Sequence, residues 1–415
     1  MLRKDLYPEV EAIANRAAVM ERHRDERVKR LVPRKVVPEG RPRRKARRPK
    51  DAERKTRFAV LGAGHGGLAM AGHLAIMGFR VSLWNRSPER VEHVANRGGI
   101  EVEGEVEGFG SPDLATSDIR KAVRGADVIM VVTPASAHRD IAHALAPVLR
   151  DGQVVVLNPG RTGGALEVNH ILRKDGCKAD AVVAEAQTLI YVSRHLEPTK
   201  AHIFQIKSEV PVAALPAYRT PEVLRDLRVA FPQFVAGGNV LQTSLDNIGA
   251  VFHPTVTVLN AARIESTHGD FEYYLEGITP AVSRVLERLD EERLAVAGAL
   301  GIRAHRARDW LYQAYASAGA TLFDSIQSTP GYKGVRAPAR VHHRYVTEDV
   351  PMSLVPLASL AEQLGVRVPT IRSVIHLASA MMGEDYWKTG RTVESMGLAG
   401  LSIREIRMFA VGGPA

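Results

Sequence analysis

The chain has 415 residues, 45% of them hydrophobic and 25% charged, which suffices for two globular cores plus appendages. A single cysteine, Cys177, excludes an internal disulfide framework and a cysteine-rich zinc site, and it fits a reducing compartment, so a cytoplasmic protein is expected. Net charge is +10, but residues 1–56 hold nineteen Lys and Arg against nine Asp and Glu, leaving thirty-seven of each sign in the remainder, so the basicity belongs to an N-terminal extension.

Within that extension, residues 5–32 carry enough Ala, Val, Leu and charge for a helix, while residues 33–56 are rich in Pro, Arg and Lys without periodicity and read as disordered or extended. No apolar stretch follows the charges as in a signal peptide, and the acidic residues argue against a transit peptide. A basic arm for nucleic acid, anionic lipid or an acidic partner stands beside a plainer alternative, a solvated tail or a reading frame that truly starts at Met20 or later. A charge run without interleaved aromatics is a poor nucleic-acid signature, so such contact is expected only through this arm. No apolar run approaches membrane-spanning length.

From Arg57 onward strands and helices alternate. The apolar run at 58–61 leads directly into Gly62, Gly64 and Gly67, a G-x-G-x-x-G turn between a strand and a helix, with His65 and Gly66 inside it. The first glycine makes the tight turn, the second lets backbone approach a pyrophosphate, and the third allows the helix to pack on the strand. Sites for NAD usually place a carboxylate about twenty residues further on, to hold the ribose hydroxyls. Here Asn85, Arg86 and Ser87 occupy that place, and a guanidinium pairs with a 2'-phosphate that a carboxylate would repel, so NADP(H) is expected ahead of NAD(H).

Further along, residues 88–96 read as a helix, 99–104 as the start of a two-stranded excursion, and 126–132 as a parallel strand ending in Thr133 and Pro134, which are placed against the cofactor. A helix over 137–149 and a strand over 154–157 precede a second glycine-rich turn at 158–164, and a strand over 180–185 precedes the polar segment 187–194. Composition changes near residue 240, after a Pro- and Gly-containing hinge at 231–238. The fold class expected is α/β: a Rossmann dinucleotide-binding domain over 57–240, then an all-helical substrate domain over 241–415, with the active site in the cleft between them. The first helix of that second domain spans 244–265, with Ile248, Val251, Phe252, Leu259 and Ala262 on one side and the small or polar Asp246, Gly249, Ala250, His253, Thr257 and Asn260 on the other. Thr279-Pro280 starts a helix reaching Leu300, a shorter helix covers 309–318, and another covers 352–364.

His253 precedes Pro254 inside a helix, where a proline costs about 3 kcal/mol, and a kink that turns the imidazole into the cleft would offset that cost. Proton transfer and a partly exposed histidine without a role are equally compatible with the helical wheel. Asp349 suits either a partner for His253 or a helix N-cap. Arg344 and Arg194 are candidates for clamping a substrate carboxylate or are ordinary surface charges, with Thr188 and Asn247 as further substrate-side candidates. His138 lines the cofactor edge or begins the next helix, and no cluster at ligand spacing indicates a metal.

Taken together, GAGHGG at 62–67, TPASAH at 133–138, NPG at 158–160, QTLIYVSR at 187–194, DNIGAVFHP at 246–254, FEYYLEGITP at 271–280, LDEER at 289–293 and RYVTEDVP at 344–351 resemble the octopine/nopaline (opine) dehydrogenase family over nearly 360 residues. The resemblance implies that His253 and Asp349 form a catalytic dyad and that Arg344 contacts a substrate carboxylate. It also implies an oxidoreductase that condenses an amino acid with a 2-oxo acid to an imine and reduces it with hydride. Many members carry an acidic residue where Asn85-Arg86-Ser87 stands, and the basic extension has no counterpart in the family pattern. A 2- or 3-hydroxy acid dehydrogenase or ketoreductase, and a non-catalytic NADP(H)-binding protein, are the alternatives; a homodimer through the helical domain is the expected assembly.

Overall fold

The computed structural model describes residues 56–412, so the helix expected over 5–32 and the basic segment after it lie outside the described residues. In chain order the strands begin with β1 (Arg57–Leu61), β2 (Arg80–Trp84), β3 (Ile100–Gly104), β4 (Gly108–Gly110), β5 (Leu114–Thr116) and β6 (Val128–Val131). They continue with β7 (Val154–Leu157), β8 (Val182–Ala186), β9 (Tyr191–Glu197), β10 (Lys200–Ile206), β11 (Val210–Leu215) and β12 (Phe234–Ala236). The helices among them are α1 (His65–Ile76), α2 (Pro88–Arg97), α3 (Ile119–Val123), α4 (His138–Leu145), α5 (Gly164–Lys174) and α6 (Thr220–Leu227).

Eight strands form one sheet in the order β12-β11-β8-β7-β6-β1-β2-β5. The six from β8 to β5 are parallel, and β11 joins β8 antiparallel. Parallel strands covered on both faces read as unbroken apolar runs, as VIMV of β6 and VVVL of β7 do. Alternate residues feed two cores. Ile129, Val131, Val155 and Leu157 pack with α4, α5 and the C-terminal helices, whereas Val128, Met130, Val154 and Val156 pack with α1, α2 and α6.

The two-stranded excursion that starts at 99–104 supplies β3 and β4, half of a second, four-stranded sheet, β4-β3-β10-β9, laid on α1. Residues 191–194, read from the sequence as part of a polar segment over 187–194, belong to β9, and β10 follows it. Most of β9 is exposed or half-buried, so its apolar alternation is weak; it pairs with β10, whose other partner, β3, is nearly a hundred residues away in sequence. Gly72 makes the close approach possible, because a Cβ there would lie 2.6 Å from Val102 Cγ2. The expected hinge at 231–238 contains β12, which pairs with β11.

After β12 the regular elements among the described residues are helical: α7 (Val240–Leu245), α8 (Gly249–Leu259), α9 (Ala261–Thr267), α10 (Pro280–Ala299), α11 (Ala307–Tyr315), α12 (Leu322–Gln327) and α13 (Arg344–Thr347). A π-helical turn, Val350–Leu354, leads into α14 (Val355–Gln363), followed by α15 (Pro369–Met382), α16 (Tyr386–Thr389) and α17 (Ile403–Gly412). The single helix expected over 244–265 is thus three. Asn260 ends α8 because its side chain donates to the carbonyls of Val256 and Gly277, both at 2.9 Å, in competition with the helical ladder. Leu259, placed by the wheel on the buried stripe, is 43% exposed. Thr279 caps α10 through Val282 N, with Pro280 in its first turn. No helix among the described residues is long and apolar enough to cross a membrane.

Candidate active site

Strand β1 delivers the glycine turn, and the three glycines differ in what surrounds them. At Gly62, with φ 119°, a Cβ would meet the Val132 carbonyl, and at Gly67 it would meet the Gly62 carbonyl. At Gly64 it would meet nothing within 4 Å. The outer two are required by packing; the middle one faces the opening at the start of α1 where a pyrophosphate fits. Gly67→Ala is accordingly expected to cost roughly 1–3 kcal/mol of stability in a thermal melt. Gly64→Ala should leave the melting temperature unchanged and weaken dinucleotide binding in a fluorescence titration.

At the end of β2 the Asn85 carboxamide is drawn into the turn: Oδ1 accepts from Ala63 N at 3.0 Å and Nδ2 donates to Ser87 O at 3.2 Å. Arg86 is 80% exposed at the rim, with Asp140 at 3.4 Å as its only partner among the described residues, and the exposed Ser87 hydroxyl makes no capping bond to α2. Arg90, not singled out from the sequence, donates to Ala63 O at 3.3 Å from the first turn of α2. His65 Nδ1 accepts from His195 N at 3.0 Å and the two rings stack, tying α1 to β9. Burial, then the neighbouring His195, Arg194 and Arg344, lowers His65 to about 4, so it is neutral at working pH. Beyond β6, the buried Thr133 Oγ1 has no hydrogen-bond partner among the described residues, next to Gly62. An open Gly64, a tight Gly62 and an uncommitted buried hydroxyl fit a bound dinucleotide. Pro134 precedes a short 3-10 turn, Ala135–Ala137. His138 begins α4 fully buried, and burial, then Arg391, lowers it to about 3.

The fold brings together two residues 96 apart in sequence: His253 Nδ1 lies 2.9 Å from Asp349 Oδ2. Pro254 lacks an N–H for the helix ladder, and the His253 carbonyl is taken by the hydroxyls of Thr257 and Tyr273, each at 2.8 Å. Tyr345 stacks on the imidazole at 4.2 Å, with ring planes 19° apart. His253 is 21% exposed and its Nε2 has no partner among the described residues, so one nitrogen is held and the other is open. Asp349 is fully buried and makes no capping bond, which removes the N-cap alternative.

A third residue, absent from the sequence candidates, completes the group. Arg161 stands on the second glycine-rich turn in the left-handed region, φ 59°, and its Nη1 lies 3.0 Å from Asp349 Oδ1. Its Nε lies 3.3 Å from Glu348 Oε1, which also accepts from Ala135 N at 3.2 Å. Burial alone would push the Asp349 carboxyl up; the Arg161 charge, followed by the His253 hydrogen bond, outweighs it and holds the group below the usual carboxylate range. Gly249 leaves room for this packing, since a Cβ would lie 3.1 Å from Arg161 Nη1 and 3.4 Å from His253 Cε1.

The remaining candidates separate. Arg344 is half-exposed at the start of α13 and pairs with Glu348 Oε2 at 2.7 Å. Arg194 is exposed on β9 and makes no ion pair among the described residues, yet it lies close enough to disfavour the charged forms of His65 and His343. Thr188 Oγ1 accepts from Lys207 Nζ at 2.6 Å. Asn247 corrects the sequence expectation: it is buried, and its Nδ2 donates inward to Ser353 Oγ at 3.0 Å and Thr162 Oγ1 at 3.4 Å, so it offers the cleft no donor. Arg161 had a legible signal, a cation in a glycine-rich turn at the carboxyl edge of the sheet. Lys207 and Tyr345 had none beyond their neighbours in the chain.

Residues 57–162 match the N-terminal domain of NAD-dependent glycerol-3-phosphate dehydrogenase, and residues 236–382 match the alpha-helical domain of NAD/NADP octopine/nopaline dehydrogenase. An opine dehydrogenase from Arthrobacter sp. (strain 1C) is 41% identical over 351 residues, covering 84% of this chain and 97% of the relative. The chain belongs to the opine dehydrogenase family. It is an NAD(P)-dependent oxidoreductase acting on CH–NH donors. The same α/β-plus-helical fold is seen in octopine dehydrogenase solved with NADH and L-arginine, at a TM-score of 0.72 and 21% identity over 87% of this chain and 99% of the other. Yersinopine dehydrogenase bound to NADP+ gives 0.65 and 16%, over 86% and 98%.

Proposed function

We propose that this opine dehydrogenase condenses an amino acid with a 2-oxo acid and reduces the resulting imine to an N-(carboxyalkyl)amino acid, with NADPH as the preferred reductant. The His253–Asp349–Arg161 group beside the sheet's carboxyl edge carries this proposal. Asp349 holds His253 with Nδ1–H toward the carboxylate, so Nε2 is free to accept a proton from the ammonium of the amino acid and to return one as carbinolamine loses water to become imine. Tyr345 fixes the plane of the ring. When bound, the dinucleotide supplies the hydride that reduces the imine carbon. Arg344 takes one substrate carboxylate, with Arg194 facing the same space. Residues 57–240 serve as the dinucleotide unit and 241–415 as the unit that contributes His253, Arg344 and Asp349.

The preference for NADPH rests on Arg86 and Ser87, both exposed where a 2'-phosphate would lie, Arg86 held only by the exposed pair with Asp140 among the described residues. Oxidation of NADPH and NADH with a 2-oxo acid, alone and with a panel of amino acids, tests both parts. Turnover should require the amine, and Arg86→Ala should raise the KM for NADPH by about tenfold while leaving that for NADH unchanged. Reduction of the 2-oxo acid without any amine would reassign the enzyme to hydroxy acid formation.

A further inference from the structure

Lys207 follows β10, half-buried, and its backbone N–H donates to Ile190 O at 2.9 Å, which fastens it to the turn carrying Thr188. That turn lies over the glycine loop, since a Cβ at Gly66 would come 2.8 Å from Leu189 Cδ2. The Lys207 ammonium donates to the Thr188 hydroxyl at 2.6 Å and has no carboxylate partner among the described residues. Of the carboxylates on the helical side, Asp349 is taken by His253 and Arg161, and Glu348 by Arg161 and Arg344. Burial, then the charge of Arg161, lowers Lys207 to about 8. A half-buried ammonium bonded to a neutral hydroxyl, with no carboxylate of its own among the described residues, is an arrangement that an anion would complete.

We propose that Lys207 and Thr188 together form the subsite for the carboxylate of the 2-oxo acid, an assignment that rests on the imine-reducing reaction above. The Thr188 oxygen accepts from Lys207, which leaves its own proton to donate, and Lys207 keeps two further N–H groups; the pair can therefore hold both oxygens of one carboxylate. The carbon that receives hydride belongs to the 2-oxo acid, so that substrate lies on the dinucleotide side, where the 188–190 turn is packed. Arg344, on the helical side, is left for the carboxylate of the amino acid. An N-(carboxyalkyl)amino acid carries two carboxylates, and the two cations divide them.

The test uses pyruvate as probe with wild type, Lys207→Met, Lys207→Arg and Thr188→Val. Steady-state KM for pyruvate, KM for the amino acid and the Kd of NADPH are measured, together with calorimetric binding of pyruvate to the NADP+-loaded protein. Lys207→Met is expected to raise the KM and Kd of pyruvate by about tenfold or more, with the other two constants within about twofold, and Lys207→Arg should recover most of the loss. A rise confined to the amino acid's KM or to the Kd of NADPH overturns the assignment, as does a fall in melting temperature with pyruvate affinity unchanged. Absence of pyruvate binding to the wild type also overturns it. Failure of amine-dependent turnover in the wild type would count against the imine reaction alone, because calorimetry still reads the subsite.

Discussion

Asp349→Asn is expected to lower kcat by about 10³–10⁴-fold while the Kd of the dinucleotide changes little. The carboxylate is fully buried and 2.9 Å from His253 Nδ1, so the imidazole hydrogen sits on Nδ1 and leaves Nε2 free to take a proton. A carboxamide can turn its NH₂ toward Nδ1 and favour the opposite tautomer, with Nε2 already protonated. It also removes the charge that stabilises the imidazolium formed during proton transfer. Volume is conserved, so the melting temperature reports only the lost pairing with Arg161. Single-turnover hydride transfer followed at 340 nm would check this, and a variant within tenfold of wild type would remove Asp349 from the dyad.

Arg161→Met should have the largest effect on stability, about 3–5 kcal/mol, because it removes one guanidinium shared by two buried carboxylates, Asp349 and Glu348. The pH dependence has a definite sign. In the wild type the Asp349 carboxyl is held below its unfolded value, so its contribution is fully present above about pH 4 and is lost as pH falls through the lower folded value. Without Arg161, the burial that alone would raise this carboxyl prevails, and the variant gains a proton on folding. The difference in melting temperature between wild type and variant is therefore greatest near neutral pH and shrinks toward acid. A gap independent of pH would mean that Arg161 contributes packing rather than charge. Arg161→Lys keeps the charge but cannot span both carboxylates, so an intermediate loss is expected.

Much of the dinucleotide half was legible because its signals are local. A strand buried on both faces must be apolar along its length, as in β6 and β7, and a turn whose outer glycines leave no room for a Cβ must carry glycine at Gly62 and Gly67. The cap at Thr279-Pro280 was equally local. Where side chains from distant segments compete with the local pattern, the sequence was insufficient. The helix expected over 244–265 is broken at Asn260 by a bond to Gly277, and β9 and β10 owe their pairing to β3 and the face of α1.

By itself, the sequence determined the glycine turn, the parallel apolar strands, the change to helical periodicity after residue 240, and the residue types available for proton transfer and anion binding. Tertiary structure alone decided which of them meet. His253 and Asp349 had balanced local alternatives, and only the packing of α8 against α13 and the π-helical turn brings them to 2.9 Å. Arg161 enters the same group from a third segment, and the Asn247 Nδ2 is turned inward to Ser353 and Thr162. The physical reason is range: periodicity and turn chemistry act over a few residues, whereas burial of a charge depends on every segment folded around it.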